Sequence, residues 1–187
     1  TNTQTGKYTV QQNAGSVTPP AGFQNYLGVT VGASANVTVG ASDYFFIAQL
    51  IEGFNVADLG FGAAGASTVT LSFWVRSSLT GTFGGSFVNA DGSRAYAFSY
   101  AISSANTWEQ KSITVTGDTT GTWQKTNAAG LTIRFGLGAG SSFTTAAGSW
   151  QGTVNAVQST GSTNLITTNS ATFYITGVQL EKGSTAT

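Results

Sequence analysis

Short runs of β-branched and aromatic residues, separated by clusters of Gly, Asn, Asp and Ser, recur along the whole chain. The clearest run, residues 68–78, alternates strictly, so Val69, Leu71, Phe73 and Val75 share one face of an extended strand. Helical periodicity is nearly missing. Alternation of this kind, with frequent turn residues, is typical of an antiparallel β-sandwich or barrel.

Eight segments of this type predict an all-β fold, an antiparallel sandwich of the jelly-roll class with about eight strands. We expect residues 43–52 to form a central strand, because they are apolar on both faces. Asn55 and Asp58 predict one short helical turn capped by Asn55. The predicted strands are residues 26–31, 43–52, 68–78, 82–89, 94–102, 108–116, 131–137 and 171–180.

Domain organisation follows from the same pattern. Pro19 and Pro20 disfavour strand pairing just before the first clear strand, so residues 1–21 are expected to be an arm or linker and residues 22–187 the jelly-roll domain. The chain contains no methionine, even at position 1, which leads us to expect that it was processed from a longer polypeptide.

Charge and residue types exclude several classes of function. The chain has seven basic and seven acidic residues, and the scattered Lys and Arg form no stripe that could neutralise nucleic-acid phosphates or an anionic membrane. No apolar run is long enough to insert into a bilayer. The absence of Cys and His leaves no thiolate or imidazole ligand for a metal.

A catalytic centre is not predicted, because structural roles explain most of the seven acidic residues. The best pair for glycosidase chemistry, in which two carboxylates flank the bond that is cleaved, is Glu52 and Asp58. We therefore predict no enzymatic activity and keep a polysaccharide depolymerase as a third hypothesis. The structural roles are a hairpin turn for Asp91, a loop for Asp118, a helix cap for Asp58 and an ion pair with Lys111 for Glu109.

Aromatic and hydroxyl-bearing side chains point instead to sugar recognition, which needs flat rings and short polar groups. Trp74 is the leading candidate: it faces away from the predicted core set, with Arg76 on the same face. Contact with a ligand or partner and ordinary packing are both compatible with that position.

Two further tryptophans lie in the long Gly- and Thr-rich connections at residues 117–130 and 138–170. Trp123 and Trp150 could be displayed there for binding, or could pin these connections to the core. Arg94 is a further candidate for polar contacts with a ligand, and Arg134 faces away from the apolar side of its strand.

Four segments carry a family resemblance: AQLIEGFNVADLGFG, TVTLSFWVRSSLTGTFGG, NTWEQKSITVTGDTTGTW and FYITGVQLEKGS, which together span residues 48–184. They resemble segments of phage tail-fibre and virion-surface adhesion domains, which are similar to jelly-roll carbohydrate-binding modules. The resemblance implies a place on the virion surface or outside the cell, binding to host surface glycan, and homotrimer formation.

The last strand departs from these modules at one point. Related modules often carry an Asp there that helps to hold a structural calcium ion, whereas Thr176 and Gly177 follow Ile175 in this chain. This departure argues against a calcium site, and the sequence predicts no other cofactor.

Two hypotheses remain for the function. The first is a non-catalytic, carbohydrate-binding-module-like domain of a phage tail fibre or other virion appendage that binds host surface glycan. The second is a structural virion domain whose exposed aromatic side chains contact neighbouring virion subunits without binding glycan.

Overall fold

Strands dominate the computed structural model, which describes residues 6–152 and 155–186. Residues 1–5 of the expected N-terminal arm lie outside the described part. The strands are β1 (Tyr8–Gln12), β2 (Leu27–Val31), β3 (Tyr44–Glu52), β4 (Val69–Ser77), β5 (Gly81–Asn89), β6 (Ala95–Ile102), β7 (Glu109–Val115), β8 (Ala129–Ala139), β9 (Thr144–Thr145), β10 (Trp150–Gln151), β11 (Gln158–Ser159) and β12 (Thr172–Lys182).

The strands form two five-stranded sheets and a two-stranded one. Sheet I has the order β1-β2-β12-β4-β7, sheet II has the order β10-β6-β5-β8-β3, and pairing within both is antiparallel. Without the edge strands β1 and β10, the eight remaining strands are those predicted from the sequence. Their order, in which consecutive strands cross between the sheets except at the hairpin between β5 and β6, is that of a jelly roll, which confirms the predicted fold class.

The core between the sheets is built by the alternating strands. In β4, Val69, Leu71, Phe73 and Val75 are at most 1% exposed, as the alternation predicts. Phe73 packs edge-to-face against Tyr100 of β6 and Phe135 of β8, with ring centroids 5.1 and 5.0 Å apart. Aromatic contacts between the sheets therefore add directional packing to the burial of apolar surface.

The hairpin predicted at Asn89–Gly92 joins β5 to β6. One carboxylate oxygen of Asp91 accepts hydrogen bonds from the backbone N–H and the hydroxyl of Ser93, and Gly92 has a φ of 73°. This turn needs a short acceptor side chain and a residue that tolerates positive φ, and the sequence supplies both.

The prediction that residues 43–52 form a central strand is wrong. β3 lies at the edge of sheet II and pairs only with β8 among the described strands. Its second apolar face is not covered by a neighbouring strand: Leu50 is 59% exposed, and Tyr44 and Phe46 line a surface cavity.

The helical turn is displaced from its predicted position. A single α-helical turn begins at Gly53, directly after β3, and ends at Val56, followed by a 3₁₀ turn at Ala57–Leu59. Asn55 lies inside this helix and is not its cap, because Glu52 occupies the N-cap position. The backbone N–H groups of Gly53 and Phe54 donate to the carbonyls of Ala128 and Thr126 in the neighbouring connection.

Part of the solvent side of sheet II is covered by the connection between β8 and β12, which the structure describes at residues 140–152 and 155–171. Small residues on that side of the sheet allow the backbone to approach: a Cβ atom on Gly84 would collide with Ser162, and one on Gly136 with Gln158. The hydroxyl of Ser86 donates a 2.7 Å hydrogen bond to the carbonyl of Ala156. The connection thus forms a third layer over part of this sheet.

The segment expected to be an arm contributes β1, which pairs with β2 along its full length. A 3₁₀ turn at Ala14–Ser16 follows, and the Tyr26 hydroxyl donates a 2.6 Å hydrogen bond to the Ala14 carbonyl. None of the helices in the described ranges has both the length and the apolar character needed to span a bilayer.

Candidate functional site

Trp74 lies on the solvent side of sheet I, as its position in the alternating strand predicts. Its cross-strand neighbours are Thr176 of β12 and Gln110 of β7. Directly opposed residues of an antiparallel pair share a face, so the three side chains form a row across the sheet. Trp74 and Thr176 are half-buried and Gln110 is exposed.

A second row of polar residues follows on the same face. Ser72 of β4 lies between Gln179 of β12 and Ser112 of β7, and both neighbours are exposed. The result is a flat surface with one large ring among hydroxyl and amide groups. We call Trp74, Thr176, Gln110, Gln179 and Ser112 the Trp74 platform.

Arg76 borders the platform on the same strand. Its guanidinium carbon lies 5.4 Å from the ring centroid of Tyr174, and its Nε donates a 2.9 Å hydrogen bond to the carbonyl of Asn106. Tyr174 is itself buried against Tyr26 and Trp108. Arg76 is therefore held in place while remaining half-buried at the edge of the platform.

Trp123 and Trp150 lie together at another part of the molecule. Their rings meet edge-to-face with centroids 5.4 Å apart, and both contact Phe61. Each indole N–H donates to a backbone carbonyl, of Thr120 and Thr116 respectively. Trp123 is only 9% exposed. These contacts pack both rings against Phe61, and ligand binding by either residue stays a prediction.

Arg94 joins the same region through an ion pair. Its Nε and Nη2 donate hydrogen bonds of 2.7 Å each to the two carboxylate oxygens of Asp118, a bidentate pair. Burial tends to raise the pKa of Asp118, but hydrogen bonds from Arg94 and Thr120 outweigh it and hold this pKa below its ordinary value. Arg94 thus ties the connection after β7 to the start of β6.

The other predicted acidic roles have varied outcomes. Glu109 forms the predicted ion pair with Lys111, at 2.6 Å, and the Lys111 hydrogen bond is the main reason that the pKa of Glu109 is lowered. Asp58 does not cap a helix with its side chain; it lies 3.3 Å from the Lys182 ammonium. Glu52, the other carboxylate of the suggested pair, is the last residue of β3.

Metal binding can be considered only for the part of the chain that the structure describes. No group of three or more His, Cys, Asp or Glu side chains gathers there as a metal site. The sequence argument against calcium at Thr176 and Gly177 stays a prediction.

A surface cavity that the sequence analysis did not single out lies beside β3. It has a volume of about 320 Å³ and is lined by Tyr44, Phe46, Arg134, Phe143, Asn155 and Val157. The sequence of residues 43–52 already indicated two apolar faces on this strand. It did not indicate whether the second face is covered by other parts of the chain or lines a binding surface.

Comparison of the sequence with models of protein families and with curated proteins gives no match. Among solved structures, a domain described as "CBM4 structure and function" is 14% identical, with 94% of each chain covered and a TM-score of 0.48. The N-terminal cellulose-binding domain of β-1,4-glucanase C from Cellulomonas fimi is 16% identical, covering 86% of this chain and 80% of that one, with a TM-score of 0.45.

The enzymatically active domain of tailspike protein 4 from bacteriophage CBA120 is also similar. It is 14% identical and has a TM-score of 0.45, and the alignment covers 95% of this chain but 19% of the tailspike chain. These likenesses are weak, and the jelly-roll assignment follows from the strand order given above.

Proposed function

We propose that this protein is a non-catalytic glycan-binding domain whose binding surface is the Trp74 platform. The observation that carries the proposal is the placement of one half-buried indole ring on the outer face of sheet I beside the exposed side chains of Gln110, Gln179 and Ser112. Pyranose rings present an apolar face that stacks on an aromatic ring, and hydroxyls that pair with short polar groups.

The charge of the platform favours a neutral sugar. Its members, Trp74, Thr176, Gln110, Gln179 and Ser112, include no charged side chain, and Arg76 at its edge is already engaged by Tyr174 and Asn106. The Thr176 hydroxyl already donates a 2.7 Å hydrogen bond to the carbonyl of Asn25, so Gln110, Gln179 and Ser112 supply the polar groups that face a ligand. Amide and hydroxyl groups can both donate and accept hydrogen bonds, which suits sugar hydroxyls that do the same.

We further propose that the domain belongs to a phage tail fibre or another virion appendage and that its target is a glycan of the host surface. The support for this is the resemblance of the four sequence segments between residues 48 and 184 to virion-surface adhesion domains. The proposed location is accordingly the virion surface.

Trp74→Ala should weaken glycan binding at least about tenfold, because interface tryptophans commonly contribute about 2 kcal/mol or more. Titration calorimetry against neutral oligosaccharides released from candidate host cells measures this. Trp74→Phe, which keeps a ring, should retain part of the affinity.

Val10→Ala is a suitable control, because it also removes an exposed apolar group from sheet I, at the edge strand β1. Its affinity should equal that of the wild type. Equal glycan affinity of the wild type and the Trp74→Ala variant would contradict the platform as the binding surface.

Subunit assembly is the second candidate, and one observation favours it. Leu50 on the edge strand β3 and Phe54 in the following helical turn are 59% and 63% exposed. Exposed large apolar side chains beside an unpaired strand edge are typical of an association surface. We propose a homotrimer through this edge.

Light scattering tests this assembly. The wild type should have three times the mass of one chain, and Leu50→Ser combined with Phe54→Ser should give a single-chain mass. A single-chain mass for the wild type at high concentration would exclude the homotrimer.

A further inference from the structure

The cavity beside β3 combines an aromatic wall with one arginine. Tyr44 stacks on Phe46 with ring centroids 5.9 Å apart, and Phe143 meets Tyr44 edge-to-face at 4.7 Å. The guanidinium carbon of Arg134 lies 5.0 Å from the centroid of Phe46. Three rings from β3 and the covering connection therefore surround one cationic group from β8.

Arg134 is only partly satisfied by the protein. Its Nη1 donates hydrogen bonds to the Asn155 side-chain oxygen at 2.6 Å and to the Ala156 carbonyl at 3.1 Å. Its Nε is buried and has no hydrogen-bond partner. Within the described ranges no carboxylate forms an ion pair with Arg134, in contrast to Arg94.

An arginine whose Nε is buried without a partner is unusual, because buried polar groups are normally hydrogen-bonded. Burial lowers the pKa of Arg134, and Tyr44 acts in the opposite direction. A guanidinium remains charged in proteins and offers several donors to a carboxylate. The half-buried Arg134 therefore has donor capacity that no carboxylate of the described residues uses.

We propose that the cavity formed by Tyr44, Phe46, Phe143, Arg134 and Asn155 binds a carboxylate-bearing sugar residue, with the carboxylate on Arg134 and the ring against the aromatic wall. The site is separate from the Trp74 platform, since it lies on sheet II. It makes the ligand an acidic glycan or a glycan that carries an acidic residue.

The dimensions and the lining fit a single sugar residue. A volume of about 320 Å³ is at the lower end of small-molecule sites. Tyr44 is 37% exposed, which leaves part of its ring available for stacking at the mouth of the cavity. The exposed amide of Asn155 supplies a donor and an acceptor for ring hydroxyls.

The test compares two matched ligands, methyl glucuronide and methyl glucoside, which differ only in a carboxylate against a hydroxymethyl group. Wild-type protein titrated with each in an NMR or calorimetric experiment should bind the glucuronide at least about tenfold more tightly, since a charge-assisted hydrogen bond contributes more than a neutral one. Equal binding of the two ligands, or no binding of the glucuronide at millimolar concentration, overturns the proposal without need of any variant.

Variants then locate the site. Arg134→Gln should remove the preference for the glucuronide, and Arg134→Lys should restore it only in part, because an ammonium lacks the planar fork. Lys125→Gln is the charge-matched control, since Lys125 is exposed and does not line the cavity. A preference that survives Arg134→Gln overturns the assignment.

Arg134 also forms hydrogen bonds to Asn155 and Ala156 of the covering connection, so its substitution could alter the fold as well as the site. A second variant therefore tests the cavity without removing these hydrogen bonds. Tyr44→Ala, on the edge strand, should weaken glucuronide binding several-fold while the cooperative thermal transition is retained. Val10→Ala, on sheet I, should leave glucuronide binding unchanged. The platform is tested with neutral oligosaccharides and the cavity with the preference for the glucuronide over the glucoside, so failure of the platform and failure of this cavity are distinguishable.

Discussion

Asp118→Asn should lower the free energy of unfolding by about 3 kcal/mol at neutral pH, the low end of what the loss of one partner of a buried ion pair costs. Asp118 is 2% exposed and accepts hydrogen bonds from Arg94 and Thr120. Arg94 is 16% exposed, so water can relieve part of its lost pairing. Urea or thermal unfolding followed by circular dichroism measures the change.

The effect should depend on pH in a defined direction. Because the pKa of Asp118 is lowered in the folded protein, its stabilisation is fully present above the ordinary carboxyl pKa and is lost as the pH falls through the folded-state pKa. The difference between wild type and Asp118→Asn should be constant near pH 7 and shrink below about pH 4.

Asp91→Asn is the matched control. Asp91 also lies in a loop and has a lowered pKa, chiefly because of the Ser93 hydroxyl, but it is exposed and an asparagine can accept the same hydrogen bonds. Its effect on unfolding should be much smaller than that of Asp118→Asn, as is usual for an exposed position. An Asp118→Asn variant as stable as this control would show that the Arg94 pair is not stabilising.

Trp123→Ala should lower the free energy of unfolding by about 3–5 kcal/mol, as expected for a buried tryptophan. The side chain contacts Phe61 and Trp150, with ring centroids 4.8 and 5.4 Å away, and its removal would leave a cavity between the connection and the core. The same unfolding measurement detects the change.

Trp74→Ala is the contrasting variant for this experiment. Both substitutions remove an indole, but Trp74 lies on an open sheet face, so its loss should cost much less stability than that of Trp123. If the two variants were equally stable, the packing role of Trp123 would be contradicted.

The fold class was predictable because each strand and turn is indicated by residues that are close together in the sequence. Alternation with a period of two marks each strand and its buried face, as in Val69 to Val75, and turn residues such as Asp91 and Gly92 mark the hairpin. The solvent-facing position of Trp74 followed from the same alternation.

The remaining features depend on contacts between distant segments. The pairing of Arg94 with Asp118 and the position of β3 at a sheet edge are set by how the sheets and connections assemble. An apolar strand such as residues 43–52 has the same sequence pattern whether its second face packs against other parts of the protein or lines a cavity.

The cavity beside β3 was missed for the same reason. It combines Tyr44 and Phe46 with Arg134 and with Phe143, residues from three separate parts of the chain. Nothing in the local sequence around any one of them predicts that the others lie nearby.

The layer over sheet II, which the structure describes at residues 140–152 and 155–171, gives the cavity two kinds of wall. One wall, Tyr44, Phe46 and Arg134, belongs to the sheet, where substitutions would also disturb strand packing. The other wall, Phe143, Asn155 and Val157, belongs to the connection, whose described strands are short. Exchange of residues in this second wall would therefore change the shape of the accepted ligand while the sandwich beneath stays the same, so a single scaffold can adapt to new ligands through one segment of chain.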